Sequence, residues 1–581
     1  MIGQFNPPLI LNHESYRAVA RVLAASKKTD RESRVANLRT RSWPPWRIEQ
    51  DGMDAQRSLQ DDLSRVISAG MRAKEAGYAD SVEDQAVGIF GGQEPNGIPT
   101  IHTRKLVKQR FPRLVWEVRP EFNANLWAAR IETTRDIQEA WGAFQKFEDR
   151  GGNVNQRMYL AMFEKLNYHE AMHRKTAPYS ASPGDGKEVL IPANDNMSVF
   201  YQRRLTPPSF DELYDEMIMR GHRPAGRLLT FLLGHARTLE KGIQYLRLSQ
   251  LDGLAIAFLT GSRNISPAVL KTVPAPTFAA FLAFLCRFAP RTIIVEHPTS
   301  AACEADEDYQ DTELAPVKYK YLPMNYGYHI LEPRTYTREP ANTLHRSIEL
   351  LKASKTKFRP AWYTVFQALA RRDAVIDRSL RGDPRNDLLS WQLLFAALGN
   401  FRRSGLELGP SGFLIICRGL EKAILASFHV SPADKTATFA KCPATVITDE
   451  FLKLSWTGDI HAPYTPELLH SIGGVHLHAY VRILGLLNDY EGIIRVLEWM
   501  SRHHEELERV AAQSRNGRQL IRRVLVAVRA FLDDTSHELE AVWLVESVES
   551  WGGWPREQEA ENYLELWSGE TTEEEPEMAD N

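Results

Sequence analysis

Residues 209–251 constrain this chain more than any other stretch, because they carry helices whose starts and stops are written in the residues themselves. Pro207 and Pro208 end whatever precedes, Ser209 can cap a first helix, and Glu212, three residues on, completes a capping box. Phe210, Leu213, Tyr214, Met217 and Ile218 fall at i, i+3, i+4, i+7 and i+8, which is one apolar stripe. Gly221 supplies the left-handed residue that closes the helix, and Pro224 blocks continuation while opening the next. That second helix carries Leu228, Leu229, Leu232, Leu233 and Ala236; Thr238 can cap a third, with Leu239, Ile243 and Leu246 inward. Helices this short and this closely joined cannot bury their apolar faces alone, so the unit is built to stack.

The same grammar recurs along the chain. Ile137, Trp141, Phe144 and Phe147 form a stripe that ends at Gly151-Gly152, and Met158, Tyr159, Met162, Phe163 and Leu166 form the next. Gly151 and Gly221 lie 70 residues apart, twice a 35-residue period. Helical patterns return at 277–288, 344–351, 360–372, 388–401, 413–426, 477–487, 490–503, 517–532 and 537–547. Insertions at about 178–208 and 290–328 interrupt the array. The second holds Glu304, Asp306, Glu307, Asp308, Asp311 and Glu313, a charge run that reads as solvated loop. Strand-like runs are few: Lys187–Ile191, Thr292–Glu296 and Thr445–Ile447. That scarcity argues against an alternating strand–helix nucleotide-binding sheet. The chain therefore reads as all-α. It divides into an N-terminal helical region with a basic segment (1–130), a helical-repeat array (131–550) and an acidic tail (551–581), partly disordered. Within the first region 54–76 reads as helix, bracketed by Pro- and Gly-rich breaks at 42–47 and 91–97.

Charge is unevenly spread. The net is −3, but Trp551 to Asn581 holds ten acidic residues and one basic residue, Arg556; that local −9 leaves about +6 on the rest. A mildly basic body suits an RNA partner without demanding one. Cys286, Cys303, Cys417 and Cys442 are scattered, which points to a reducing compartment and no structural zinc. No run of eighteen apolar residues appears, so no membrane span is expected. Arg17, Arg21, Lys27, Lys28, Arg31, Arg34, Arg39 and Arg41 make the start resemble an organelle-import segment, while Glu14, Asp30 and Glu32 depart from that pattern.

Phe210 to Met217, followed by Gly221 and Pro224, resembles the second helix and closing turn of a pentatricopeptide repeat. Ala140, Phe144, Gly151 and Tyr159 resemble a second copy, Tyr480 to Met500 a third, and Pro360-Ala-Trp-Tyr363 the opening of a fourth. The whole is similar to the divergent pentatricopeptide-repeat-like proteins of filamentous fungi, most of which are expected in mitochondria. The resemblance implies a right-handed α-solenoid of stacked helical hairpins, without cofactors, that presents a groove to single-stranded RNA in the mitochondrial matrix. It implies work on organellar transcripts, in their stability, processing or translation, with the mitochondrial ribosome or another complex as possible company. In such repeats a polar residue just after the first-helix tyrosine position helps read a base. Here that position falls on Leu160, Thr230, Thr364 and Val481; the aliphatic pair cannot hydrogen-bond a base edge, so any code is partial. Arg227, Thr230 and Thr364 are the candidate RNA-binding residues, against the plainer reading of ordinary helix surface.

Two other readings compete. The aliphatic residues at Leu160 and Val481 suit a protein-binding scaffold or assembly factor. His169-Glu170-Ala171-Met172-His173 is a literal His-Glu-x-x-His, which on a helix puts His169 and His173 on one face as zinc ligands, with Glu170 as base. A third ligand is missing from the expected places: the sequence continues Arg-Lys-Thr-Ala-Pro-Tyr, and Glu188 lies in the Gly/Pro-rich insertion. Arg174 and Lys175 instead suit a helix C-terminus, and Pro178 stops the helix. No P-loop and no Gly-x-Ser-x-Gly elbow occurs. His503-His504 reads as solvated surface, and Trp551, Trp554 and Trp567 read as docking a terminal helix rather than as stacking on bases.

Overall fold

The computed structural model describes residues 11–41, 64–79, 81–92, 102–104, 123–134, 136–174, 198–261, 265–289, 292–298, 336–439, 442–455, 471–513 and 516–569. The contacts divide the chain into two units, one of residues 1–232 with 248–250 and one of 233–247 with 251–581.

The first unit begins with α1 (His13–Ala25), α2 (Asp30–Arg41), α3 (Arg65–Glu75) and α4 (Val82–Phe90). Ser64 and Ser81 cap α3 and α4 through their side chains. Val66, Ala86, Ile89 and Phe90 pack with Leu126 and Ala129 of α5 (Ala124–Thr133). The basic N-terminal stretch is tied into this core: Arg17 donates to both Asp84 carboxylate oxygens at 3.0 and 3.1 Å, Arg21 pairs with Glu83, and Arg65 with Glu32. Two further helices, α6 (Ile137–Asp149) and α7 (Gln156–Arg174), complete a hairpin stack in which α5 packs on both. Trp127, Phe144, Phe147, Tyr159 and Phe163 are wholly buried there.

Gly151 and Gly221 close their helices alike, at φ +78° and +80°. Gly152 N–H donates to Phe147 O at 3.0 Å, and His222 N–H to Met217 O at 3.1 Å. Between these glycines, however, the described helices are α7, then α8 (Val199–Leu205) and α9 (Phe210–Met219). Among these described helices α7 pairs with α9, Phe163 and Phe210 joining the two with ring centroids 4.7 Å apart. The insertion is also not all loop. The short α8 lies against α6, where Gly142 makes room for Leu205: a Cβ on Gly142 would sit 2.9 Å from Leu205 Cδ2. Its seven residues are too few for periodicity to reveal a helix.

α10 (Gly226–His235) carries residues of both units. The second unit continues with α11 (Leu239–Arg247), α12 (Gly253–Thr260) and α13 (Ala275–Arg287). Strands β1 (Thr292–Pro298) and β2 (Tyr336–Asn342) then pair antiparallel, Thr292 opposite Asn342 and Pro298 opposite Tyr336, the one sheet among the described residues. The remaining helices are α14 (Thr343–Ser354), α15 (Arg359–Ala370), α16 (Pro384–Arg403), α17 (Pro410–Ser427), α18 (Pro432–Thr438), α19 (Pro443–Leu454), α20 (Gly474–Leu486), α21 (Tyr490–Arg502), α22 (His504–Ala512), α23 (Gly517–Leu532), α24 (Glu538–Glu546) and α25 (Glu557–Gly569). Helices α13, α15, α17, α20, α23 and α25 each pack on the next, forming one layer. Opposite them α14, α16, α19, α21 and α24 pair with their sequence neighbours. Two layers of antiparallel hairpins added in chain order are an α-solenoid architecture.

The strand expected at Thr445–Ile447 is helical, within α19. Its β-branched residues suggest a strand, but Pro443 opens a helix and Val446, Ile447, Glu450, Phe451 and Leu454 share a buried face. Helix 54–76 begins at Arg65 among the described residues, and Lys187–Ile191, the acidic run 304–313 and Glu573–Glu577 lie outside them. The tail segment 549–569 is folded against the second unit. Arg522 reaches Gly553 O at 2.7 Å and pairs with Glu559, and His478 Nε2 lies 3.0 Å from Tyr563 Oη. No described helix is long and apolar enough to cross a membrane.

Candidate nucleic-acid interface

The start of α7 is built from polar residues that hold the start of α10. Asn155 accepts from the Arg157 and Met158 N–H groups at 3.1 Å, turning the chain into α7. Gln156 then bridges outward: its Nε2 donates to Arg223 O at 2.8 Å, and its Oε1 accepts from Ala225 N–H at 3.2 Å. A side-chain amide matched to one backbone carbonyl and one N–H fixes α10 beside α7 in register.

That register brings Arg157 and Arg227, 70 residues apart in sequence, into each other's field. Burial first, and the Arg227 charge second, push the Arg157 guanidinium down to about 10, with Glu164 opposing. Arg227 is exposed, and Thr230, one turn further along α10, is half-buried. The Thr230 hydroxyl donates to Gly226 O at 3.0 Å, leaving its lone pairs to accept a hydrogen bond. Thr364 on α15 repeats the arrangement, half-buried and donating to Pro360 O at 2.9 Å. Arg227 and Thr230 thus share one edge of α10, and Arg157 of α7 lies within range of the Arg227 charge; the motif alone did not single Arg157 out, and equal spacing from the paired glycines was the available signal.

Leu160 and Val481 are in the core, Val481 with no exposed surface. The tyrosines that precede them are core residues too. Burial pushes Tyr159 and Tyr480 up to about 12, and Tyr480 bonds Thr448 Oγ1 at 2.9 Å. At these two repeats, then, the expected base-reading position faces the packing.

His169 lies half-buried in the last turns of α7, the side chain of His173 is outside the described residues, and so is Glu188. Among the described residues no three His, Cys, Asp or Glu side chains gather where they could hold a metal. His503 is not free surface: it falls at the break between α21 and α22, with its ring 4.9 Å from that of Trp499. Trp551 is buried at the base of the folded tail, whereas the side chain of Trp567 is outside the described residues.

No protein-family model matches the chain, and no curated protein matches it. A solved structure, that of the pentatricopeptide repeat protein PPR10 from maize, is similar at 12% sequence identity over 97% of this chain and 77% of that one, with a TM-score of 0.22. The architecture given above rests on the helix packing itself.

Proposed function

We propose that this chain is a non-catalytic helical-repeat protein that binds single-stranded RNA. The observation that carries the reading is that Arg227 is exposed one turn before Thr230 on α10, with Arg157 of α7 within range of its charge: guanidinium groups match the oxygens of a phosphate backbone, and a hydroxyl beside them can accept from a base. Work on mitochondrial transcripts is the further part of the proposal, supported by the motif resemblance.

The direct test is ultraviolet crosslinking of the tagged protein in its own cell, followed by sequencing of bound RNA. A few enriched organelle transcripts are expected; background crosslinking with a stable co-purifying complex overturns the reading. In vitro, the salt slope of single-stranded RNA affinity should fall by about 1.4 log units per log unit of salt when Arg157→Gln and Arg227→Gln are combined, at about 0.7 for each phosphate left without its cation. An unchanged slope removes these two residues from the interface. A protein-binding scaffold is the second reading, favoured by Leu539 and Trp543, which expose 84% and 70% of their surfaces one turn apart on α24.

A further inference from the structure

Arg130 is 2% exposed, its Nε and Nη1 atoms have no hydrogen-bond acceptor, and no carboxylate faces it among the described residues. What does face it is more positive charge. The Arg130 guanidinium lies 4.5 Å from the centre of the Trp127 ring, and Arg150, at the end of α6, lies 5.5 Å from the same ring. Lys146, one turn before Arg150, feels both arginines. Burial pushes Arg130 down to about 10, Arg150 adds to that, and Lys146 is lowered by burial and by the two guanidinium groups.

The nearby acids do not balance this cluster. Glu148 and Asp149, the last carboxylates of α6, are spent on Arg220 and Arg204. Trp127 offers its ring face, and the C-terminal end of α6 offers a partial negative charge; both favour cations but neither neutralises three. A buried guanidinium without a counter-charge is a costly thing for a fold to keep. Lys146 and Arg150 are exposed, so they form the mouth of the cluster, and Arg150 can swing off Trp127 on its long stem to open Arg130.

We propose that Arg130, Lys146 and Arg150 form a binding site for a phosphate group, Lys146 and Arg150 making the outer contacts and Arg130 the inner, bidentate one. Planar guanidinium forks match the oxygens of a phosphate, and a multiply charged oxyanion answers three cations where a single carboxylate would not. This site stands apart from the Arg157–Arg227 edge and does not depend on RNA being the partner.

The test is titration of the full chain with sodium phosphate, against sodium chloride at matched ionic strength, by calorimetry and thermal melting. Phosphate should bind and raise the melting temperature where chloride does not, and Lys146→Gln and Arg150→Gln should each weaken it about tenfold. Both residues are exposed, so these variants should keep the fold; Arg130→Met, if folded, should abolish phosphate binding. Phosphate acting no differently from chloride, or equal affinity in Lys146→Gln and Arg150→Gln, overturns the site. An eight-nucleotide single-stranded RNA then identifies the source. Parallel weakening of RNA and phosphate by the two glutamine variants assigns the site to the RNA backbone. Phosphate binding retained in a chain that takes up no RNA keeps this site for a free phosphate-bearing ligand and overturns the proposed function alone.

Discussion

Replacing Arg482 with Met should loosen the joint between α17 and α20 by an amount that depends on pH. Arg482 and Glu421 form an ion pair across these neighbouring helices, with side chains 7% and 15% exposed. Met keeps most of the stem's packing, so the main loss is the partner of a largely buried carboxylate, a change that ordinarily costs about 3–5 kcal/mol. Glu421 has one escape, which is to take up a proton. From an ordinary glutamate value near 4.3, at about 1.4 kcal/mol per pH unit, that route limits the charge cost to about 3.7 kcal/mol at pH 7 and about 1 kcal/mol at pH 5. The expected result is thus a loss of about 3 kcal/mol at pH 7 that shrinks to about 1 kcal/mol at pH 5. Adding Glu421→Met should recover most of it, because an apolar pair replaces a desolvated charge. Hydrogen exchange followed on peptides from α17 and α20 reads the local opening free energy directly, which suits an array whose repeats open separately. Equal loosening at both pH values, or a double variant weaker than Arg482→Met alone, would show that the pair is not what holds this joint.

Other substitutions test the packing and the turns. Gly151→Ala and Gly221→Ala should each cost about 1–2 kcal/mol, since both sit at positive φ, whereas Gly399→Ala, inside α16 with no atom near its Cβ, should gain about 0.5–1 kcal/mol; urea unfolding distinguishes them. Gly474→Ala should destabilise by about 1–3 kcal/mol, because its Cβ would meet the Leu520 and Ile521 backbone at 2.7 and 2.9 Å, and backbone cannot swing aside. Burial, then Arg523 and Arg482, hold His478 down to about 3 in the folded chain, so between there and about 6.5 the unfolded chain carries the extra proton. The packing of α20 on α25 should therefore be fully stable above pH 6.5 and weaken by roughly 3 kcal/mol by about pH 4, and His478→Gln should flatten that profile in hydrogen exchange.

Much of the fold is legible in local residues. The Ser209–Glu212 capping box, the left-handed glycines 151 and 221 and the stripes through Phe144 and Met217 are found where the sequence places them, because a cap or a stripe is settled within one or two turns. The candidate site was legible only in part. Arg227 and Thr230 share a helix edge by spacing alone, but Arg157 joins them only because Gln156 clamps the backbone at Arg223 and Ala225. Thr445–Ile447 shows the opposite failure: its side chains favour a strand, and burial against a neighbouring helix decides otherwise. Nor does sequence spacing announce that Arg130 and Arg150 both lie over the Trp127 ring, with Lys146 in range of both charges. By itself the sequence determined helices, their ends and the need to stack them, since those follow from forces acting over a few residues. Only the tertiary structure decided which charges face each other, because charges act across the distances that packing sets, and no local pattern encodes those distances.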